Sequence, residues 1–248
     1  MESSDEITNN QLEQLRQNAE ALLDAMKAGP WKRPLFVEFS GSPNSGKSTC
    51  IDIVAHFFRR VGFKTLAPTE GASKRTPYYL KDDLVAFNTW SMSYALSHVF
   101  EGLYHSDKYQ IAILDRGLFD ALVWFELLAN KGTISKEECK KIQSFIMIEK
   151  WLSAIDLVFL FEADPDTALK RENQDKLISE HGRAMNPRFL KELNEAYDNV
   201  RTRYANNFVN FEYIDTSEHH ATSPKATAYH VVGRILALSP ISLKMPYT

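Results

Sequence analysis

The chain has 248 residues, of which 44% are hydrophobic and 25% are charged, and its formal net charge at pH 7 is −3. This composition is typical of a globular protein and argues against global disorder. The mild negative charge, without a clustered basic region, disfavours nucleic acid as a partner.

The cysteine content and the hydropathy pattern exclude two further classes. Cys50 and Cys139 are the only cysteines, and no metal-ligand spacing surrounds them, which argues against a disulfide framework and against a zinc site. No run of about 18 apolar residues and no signal-peptide pattern is found. We therefore expect a cytoplasmic protein without a membrane segment.

Residues 1–30 predict an amphipathic helical extension ahead of a main domain at residues 31–248. Apolar residues recur at helical spacing from Leu12 to Met26, and the pattern stops at Gly29 and Pro30. The spacing leaves two roles open for this helix: packing against the core of its own chain, or contact with a second copy in a homodimer or with another partner.

A phosphate-binding loop follows the first predicted strand, which begins at Leu35. The motif G-x-x-x-x-G-K-[ST], between that strand and an apolar helical face, predicts backbone amides and a helix N-terminus around phosphate oxygens. We expect Lys47 to reach the outer phosphates of ATP and the Ser48 hydroxyl to ligate Mg²⁺. The predicted cofactor-binding residues are Gly41, Asn44, Ser45, Gly46, Lys47, Ser48 and Thr49.

The rest of the chain alternates short strands with helices. Further strands are predicted at residues 63–67, 111–114, 157–161 and 211–214. Helices are predicted at residues 83–103, 117–130 and 135–152, after Asp164-Pro165 and Asn186-Pro187, and at residues 225–238. This alternation implies right-handed crossovers and a parallel sheet covered on both faces. The predicted fold class is α/β, with a five-stranded parallel sheet flanked by helices.

Asp115 and Arg116 end the third predicted strand, at the sheet edge where ligands bind in open parallel sheets. Asp115 is a candidate Mg²⁺ ligand, and Arg116 a candidate for binding the acceptor or the charge that develops on the transferred phosphate. The alternative is a helix-capping aspartate beside a surface arginine.

The acceptor side is predicted from residues that follow the second strand. Glu70 could orient or deprotonate an acceptor hydroxyl, whereas Arg75 or Arg116 could clamp a phosphate that the acceptor already carries. Glu70 could instead be a structural carboxylate paired with Lys74 or Arg75. The next helix offers aromatic rings as walls of a base pocket and an amide to read the base, although such aromatics usually form core. The candidates there are Phe87, Asn88 and Trp90.

Several of these motifs occur in the order found in thymidylate kinases and deoxynucleoside kinases, which residues 35–216 resemble. The shared motifs are Ser-Gly-x4-Gly-Lys-Ser-Thr, Thr69-Glu70-Gly71, Ile-Leu-Asp115-Arg116-Gly and Asp156-Leu-Val-Phe-Leu with Asp164-Pro165. The resemblance implies a P-loop NTPase fold, ATP and Mg²⁺ as cofactors, and a lid over the phosphates. Deoxynucleoside kinases typically have Glu-Arg-Ser where this chain has Asp-Arg-Gly, and a proline where this chain has Gly71.

The lid is placed at about residues 165–188, between two helices with N-capping signals. An arginine there could move onto the phosphates and exclude water, and Arg171 and Arg183 are the preferred candidates. A solvated charged surface is the alternative.

Together these features predict ATP-dependent phosphoryl transfer to a nucleoside or nucleoside monophosphate. The predicted catalytic residues are Lys47, Glu70, Asp115, Arg116, Arg171 and Arg183. The alternatives are a kinase of another small molecule or of a nucleic-acid group, and an ATPase or nucleotide-binding module regulated by a partner.

Overall fold

A computed structural model of the chain describes residues 7–29, 33–68, 75–105, 108–175, 185–218 and 223–238. The strands are β1 (Leu35–Gly41), β2 (Thr65–Leu66), β3 (Ile111–Asp115), β4 (Ile155–Glu162) and β5 (Phe211–Asp215). The helices are α1 (Asn9–Ala28), α2 (Lys47–Val61), α3 (Leu84–Tyr104), α4 (Leu118–Asn130), α5 (Lys136–Ile146), α6 (Glu149–Leu152), α7 (Pro165–Asp175), α8 (Pro187–Tyr204) and α9 (Pro224–Leu236). Short 3-10 helices occupy Tyr78–Leu80 and Ala205–Asn207.

The five strands form one parallel sheet in the order β2-β3-β1-β4-β5. β1 lies at its centre, paired with β3 on one side and β4 on the other. The carboxyl ends of these three strands therefore lie at one edge of the sheet, where the loop that follows β1 begins. The predicted α/β architecture is confirmed.

Alternate residues of the strands belong to two hydrophobic clusters, one on each face of the sheet, because successive strand side chains point to opposite faces. Leu35, Val37 and Phe39 of β1 join the cluster that contains apolar residues of α1, α2 and α9. Phe36 joins the cluster on the other face, with residues of α3, α4, α5 and α8. Glu38 lies on this second face and is fully buried.

The N-terminal helix α1 packs on the core of its own chain. Its buried residues Leu15, Ala19, Leu22, Leu23 and Met26 belong to the cluster with β1, α2 and α9. A capping box between Thr8 and Gln11 begins the helix, and Gly29 follows its last turn. The apolar face therefore supports the packing role, while the division into an extension and a main domain stays a prediction.

Two element boundaries differ from the sequence prediction. The second strand is only two residues long, because Phe63 follows the left-handed Gly62 and donates its amide to the Phe58 carbonyl (3.0 Å) at the end of α2. The predicted helix 135–152 is broken after Ile146, where Trp151 Nε1 donates to the Ile146 carbonyl (3.0 Å). The apolar run around this break carries no glycine or proline to signal it.

No helix within the described ranges combines the length and apolar character that a membrane span requires.

A buried ion pair fastens the amino ends of β1 and β4. Arg33 donates to both carboxylate oxygens of Asp156 at 2.7 Å each, and the Phe36 amide donates to the same carboxylate at 2.8 Å. Arg33 and Asp156 are 5% and 1% exposed, so neither charge is solvated when its partner is removed.

Substitution Arg33→Ala is expected to lower the free energy of unfolding by about 3–5 kcal/mol, because it leaves the Asp156 carboxylate buried and unpaired. Chemical denaturation followed by circular dichroism measures this loss. Lys141→Ala is the control, since it removes an exposed pair with Glu137 and should leave the unfolding midpoint nearly unchanged. Equal effects of the two substitutions would contradict the expectation.

Candidate active site

The loop after β1 has the curled backbone that phosphate binding requires. Gly41 has φ of 150°, and a Cβ atom there would lie 2.0 Å from the Phe161 carbonyl oxygen of β4. Gly46, with φ of 81°, is the N-cap of α2. Asn44 also adopts a left-handed φ of 56°. Only glycine fits at position 41, because the Phe161 carbonyl of β4 occupies the space that a side chain would need.

The loop, Arg116 and α7 surround a cleft of about 530 Å³ at the N-terminus of α2. Ser48 and Thr49 are exposed, whereas Lys47 is buried. The Ser45 hydroxyl is buried and has no hydrogen-bond partner within the described part of the chain. The lining residues are Ser42, Pro43, Asn44, Ser45, Gly46, Lys47, Ser48, Thr49, Arg116, Arg171 and Gln174.

Lys47 and Asp115 form an ion pair at the base of the cleft, between the start of α2 and the end of β3. Their side chains are 6% and 10% exposed, so the pair is largely shielded from solvent. The structure therefore brings the predicted phosphate-binding lysine and the predicted magnesium-binding carboxylate into direct contact.

Arg116 is held in an uncommon backbone conformation next to this pair. Its φ is 64°, in the left-handed region that few side-chain-bearing residues adopt, and such strain is concentrated at functional sites. Its amide donates to the Phe39 carbonyl of β1 (2.9 Å). The guanidinium donates to both carboxylate oxygens of Asp120 (3.0 and 3.1 Å).

Tyr197 of α8 completes the support of Arg116. Its hydroxyl donates to Asp120, and Arg116 lies 3.4 Å from the same hydroxyl. Burial and the neighbouring Asp120 charge raise the pKa of Tyr197 well above its ordinary value, which keeps the phenol protonated as a donor. Trp124 lies under the guanidinium, with its ring centroid 5.8 Å from Cζ.

Arg171 of α7 braces the phosphate loop instead of extending freely into the cleft. Its guanidinium donates to the Asn44 carbonyl (2.9 Å) and to the carbonyl of Thr216 (2.6 Å), just after β5. The Thr216 hydroxyl in turn donates to the Ser45 carbonyl (2.8 Å). Asn44 Nδ2 also donates to Glu172 (2.9 Å). Loop, α7 and the end of β5 are therefore tied together.

The other predicted residues either lie away from the cleft or fall outside the described residues. Asn88 is buried and donates to the Leu84 carbonyl (2.7 Å), whereas Phe87 and Trp90 are half-buried and belong to neither large cluster. Trp90 stacks on Tyr94 with a centroid distance of 5.2 Å. Arg75 is exposed, and none of these four predicted residues lines the cleft among the described residues. Glu70 and Arg183 lie outside the described residues.

Glu38 was not predicted from the sequence as a functional residue. A signal was present, because a charged residue inside a buried strand needs a partner that compensates its charge. Its carboxylate accepts four backbone N–H groups at the start of α4 and the Ser40 hydroxyl. Burial raises the pKa of Glu38, while these hydrogen bonds oppose the rise. Asp120 had a signal in its spacing four residues after Arg116, whereas Tyr197 had none.

The sequence profile described as "Deoxynucleoside kinase" matches residues 39–232, well over half of the chain. The chain belongs to the deoxynucleoside kinase family. This member is therefore a phosphotransferase for which ATP is the phosphate donor, and the resemblance inferred from its motifs is confirmed. No protein among the curated sequences matches it.

Solved structures of a deoxyadenosine kinase from M. mycoides have the same fold as this deoxynucleoside kinase family member. The structure with bound dATP is 18% identical, covers 82% of this chain and 100% of its own, and has a TM-score of 0.57. The structure with the products dCMP and a flexible dCDP is 17% identical with the same coverage and a TM-score of 0.58. At these identities the likeness concerns the fold alone, and it confirms the predicted P-loop sheet.

Proposed function

We propose that this deoxynucleoside kinase family member transfers the terminal phosphate of ATP to a hydroxyl of a nucleoside, with Mg²⁺ at the phosphates. The observation that carries the proposal is the convergence of the glycine loop, Lys47 and Arg116 on one cleft. Phosphoryl transfer depends mainly on positioning and on neutralising charge, and the cleft offers amides, an ammonium and a guanidinium for that purpose.

The position of Arg116 favours a nucleoside over a nucleoside monophosphate as the acceptor. Arg116 lines the phosphate cleft itself. We assign its guanidinium to the phosphate being transferred. A monophosphate acceptor needs a further cation on the acceptor side. Arg75, the other predicted clamp, is exposed and does not line that cleft in the described part of the chain.

The oxygen donors at the cleft fit Mg²⁺. Ser48 lines the cleft, and the Asp115 carboxylate contacts the lining residue Lys47. Both are hard oxygen ligands, and Mg²⁺ at phosphate sites usually takes one or two protein ligands beside phosphates and water. When bound there, the ion would neutralise phosphate charge, while Lys47 would exchange its contact with Asp115 for the outer phosphates.

The acceptor is proposed to bind between the cleft and α3. Phe87 and Trp90 supply half-buried aromatic faces that neither hydrophobic cluster uses, and the Asn88 amide lies between them in the sequence. Glu70 remains the predicted base for the acceptor hydroxyl.

Free, buried Cys50 and Cys139 are compatible with the reducing cytoplasm, where we place the protein.

Coupled ATP consumption with Mg²⁺ against nucleosides, deoxynucleosides and their monophosphates tests the proposal. We expect turnover that requires a nucleoside and yields its monophosphate, with low ATP hydrolysis in the acceptor-free control. Turnover only with monophosphates would reassign the acceptor. ATP hydrolysis indifferent to every acceptor would contradict the proposal and favour a partner-regulated ATPase.

A further inference from the structure

A buried carboxylate of β1 contacts the segment that follows Asp115, the partner of Lys47, and the cleft residue Arg116. Glu38 is 0% exposed, and its Oε1 accepts the amides of Gly117 (3.1 Å) and Asp120 (3.0 Å). Its Oε2 accepts the amides of Leu118 (2.9 Å) and Phe119 (3.2 Å). These four amides are the donors at the start of α4 that have no partner within the helix.

Gly117 is the N-cap of α4 and supplies no side-chain cap of its own. A Cβ atom at this position would lie 2.5 Å from the Glu38 carboxylate carbon and 2.5 Å from its Oε2. The carboxylate therefore occupies the space that a capping side chain would need. The same geometry explains in physical terms why Asp-Arg is followed by glycine here.

The Glu38 carboxylate holds two residues that position Arg116, namely Gly117 and Asp120. Gly117 directly follows the left-handed Arg116, and Asp120 binds the Arg116 guanidinium through both carboxylate oxygens. Both residues donate their amides to Glu38 Oε1. A shift of this carboxylate would therefore move the backbone beside Arg116 and the side chain that orients it.

We infer that Glu38 is a positioning residue for phosphoryl transfer, which sets the place of Arg116 at the cleft by capping α4 from the neighbouring strand. The inference rests on the proposed function, since it assigns Arg116 to the transferred phosphate. Glu38 does not line the phosphate cleft, so its effect reaches the reaction only through Arg116, Asp115 and Asp120.

Glu38→Gln is the first test. In the glutamine side chain, an NH₂ group replaces one of the two carboxylate oxygens, each of which accepts two backbone amides. Two amides would then face a donor instead of an acceptor, so the first turn of α4 must shift. We expect kcat to fall roughly 10- to 100-fold, as misplacement of a catalytic group does, with ATP affinity within about twofold of the wild type. Hydrogen exchange at residues 118–120 should accelerate.

Asp156→Asn is the matched control, because Asp156 is also a buried carboxylate that accepts a backbone amide, yet it lies at the amino end of β4. It should leave kcat of the folded protein and hydrogen exchange at residues 118–120 unchanged. If Asp156→Asn lowers kcat as much as Glu38→Gln, the effect is a general loss of stability and the inference is overturned.

A double-mutant cycle keeps the inference testable if Glu38→Gln folds poorly. Glu38→Ala leaves the amides uncapped, and Gly117→Ser places a side chain against the carboxylate. The double variant Glu38→Ala/Gly117→Ser removes the clash and supplies a serine, a favoured N-cap, so its kcat should exceed the value expected from the two single losses. Additive losses would overturn the inference.

Hydrogen exchange separates failure of the inference from failure of the proposed function. If the wild type transfers phosphate to no acceptor, the proposed function fails, but exchange at residues 118–120 still reports whether Glu38 holds the turn. If the wild type is active and Glu38→Gln leaves both kcat and exchange unchanged, only the positioning role fails.

Discussion

Substitution Lys47→Ala is expected to lower kcat roughly 10²- to 10³-fold, the range for removal of one group that stabilises transition-state charge. Lys47 is the cation that the phosphate loop directs into the cleft, and it pairs there with Asp115. Steady-state phosphoryl transfer with saturating ATP and acceptor measures the loss.

Lys64→Ala is a suitable control for the Lys47 substitution, because Lys64 is exposed and does not line the cleft. It should retain wild-type turnover. Circular dichroism and ATP binding establish that the Lys47 variant is folded. Normal turnover by a well-folded Lys47→Ala protein would remove this lysine from the mechanism.

Substitution Arg116→Ala is expected to reduce kcat by roughly 10³-fold, since an arginine on the transferred phosphate contributes at least that much in related chemistry. The loss should concern kcat more than ATP affinity, because the loop amides and Lys47 remain. Single-turnover transfer, compared with equilibrium ATP binding, separates the two effects.

Asp120→Asn tests whether the orientation of Arg116 matters beyond its charge. The variant keeps the guanidinium but replaces the charged acceptor of Arg116 Nη1 with a neutral amide, so we expect a smaller loss of kcat than for Arg116→Ala. If kcat is unchanged in Arg116→Ala, the guanidinium has no part in the reaction. If Asp120→Asn is the more damaging substitution, Asp120 has a role other than holding Arg116.

The fold and the donor side of the site follow from short-range sequence patterns. The glycine loop must follow a strand and begin a helix, and alternation of strands with helices fixes a parallel sheet, so Gly41, Lys47 and Asp115 fall at one edge. The capping signals of Ser135 and Asn186 likewise mark helices that the structure contains.

The supports of the site depend on contacts between distant segments, which periodicity does not contain. Glu38 and the start of α4 are about eighty residues apart, and Tyr197 meets Asp120 across 77 residues. Arg171 was predicted as a mobile lid residue, yet its bonds to Asn44 and Thr216 arise from the fold of three separate elements. The lid role of Arg171 stays a prediction.

Transfer of a labelled γ-phosphate from ATP to a nucleoside is the decisive measurement of the proposed activity. The wild-type protein is incubated with Mg²⁺, γ-labelled ATP and single deoxynucleosides, and the products are separated and identified, with Lys47→Ala protein as the blank. We expect the label to appear in a nucleoside monophosphate and to depend on Lys47. Label found only in inorganic phosphate, at the same rate with and without nucleoside, would contradict it.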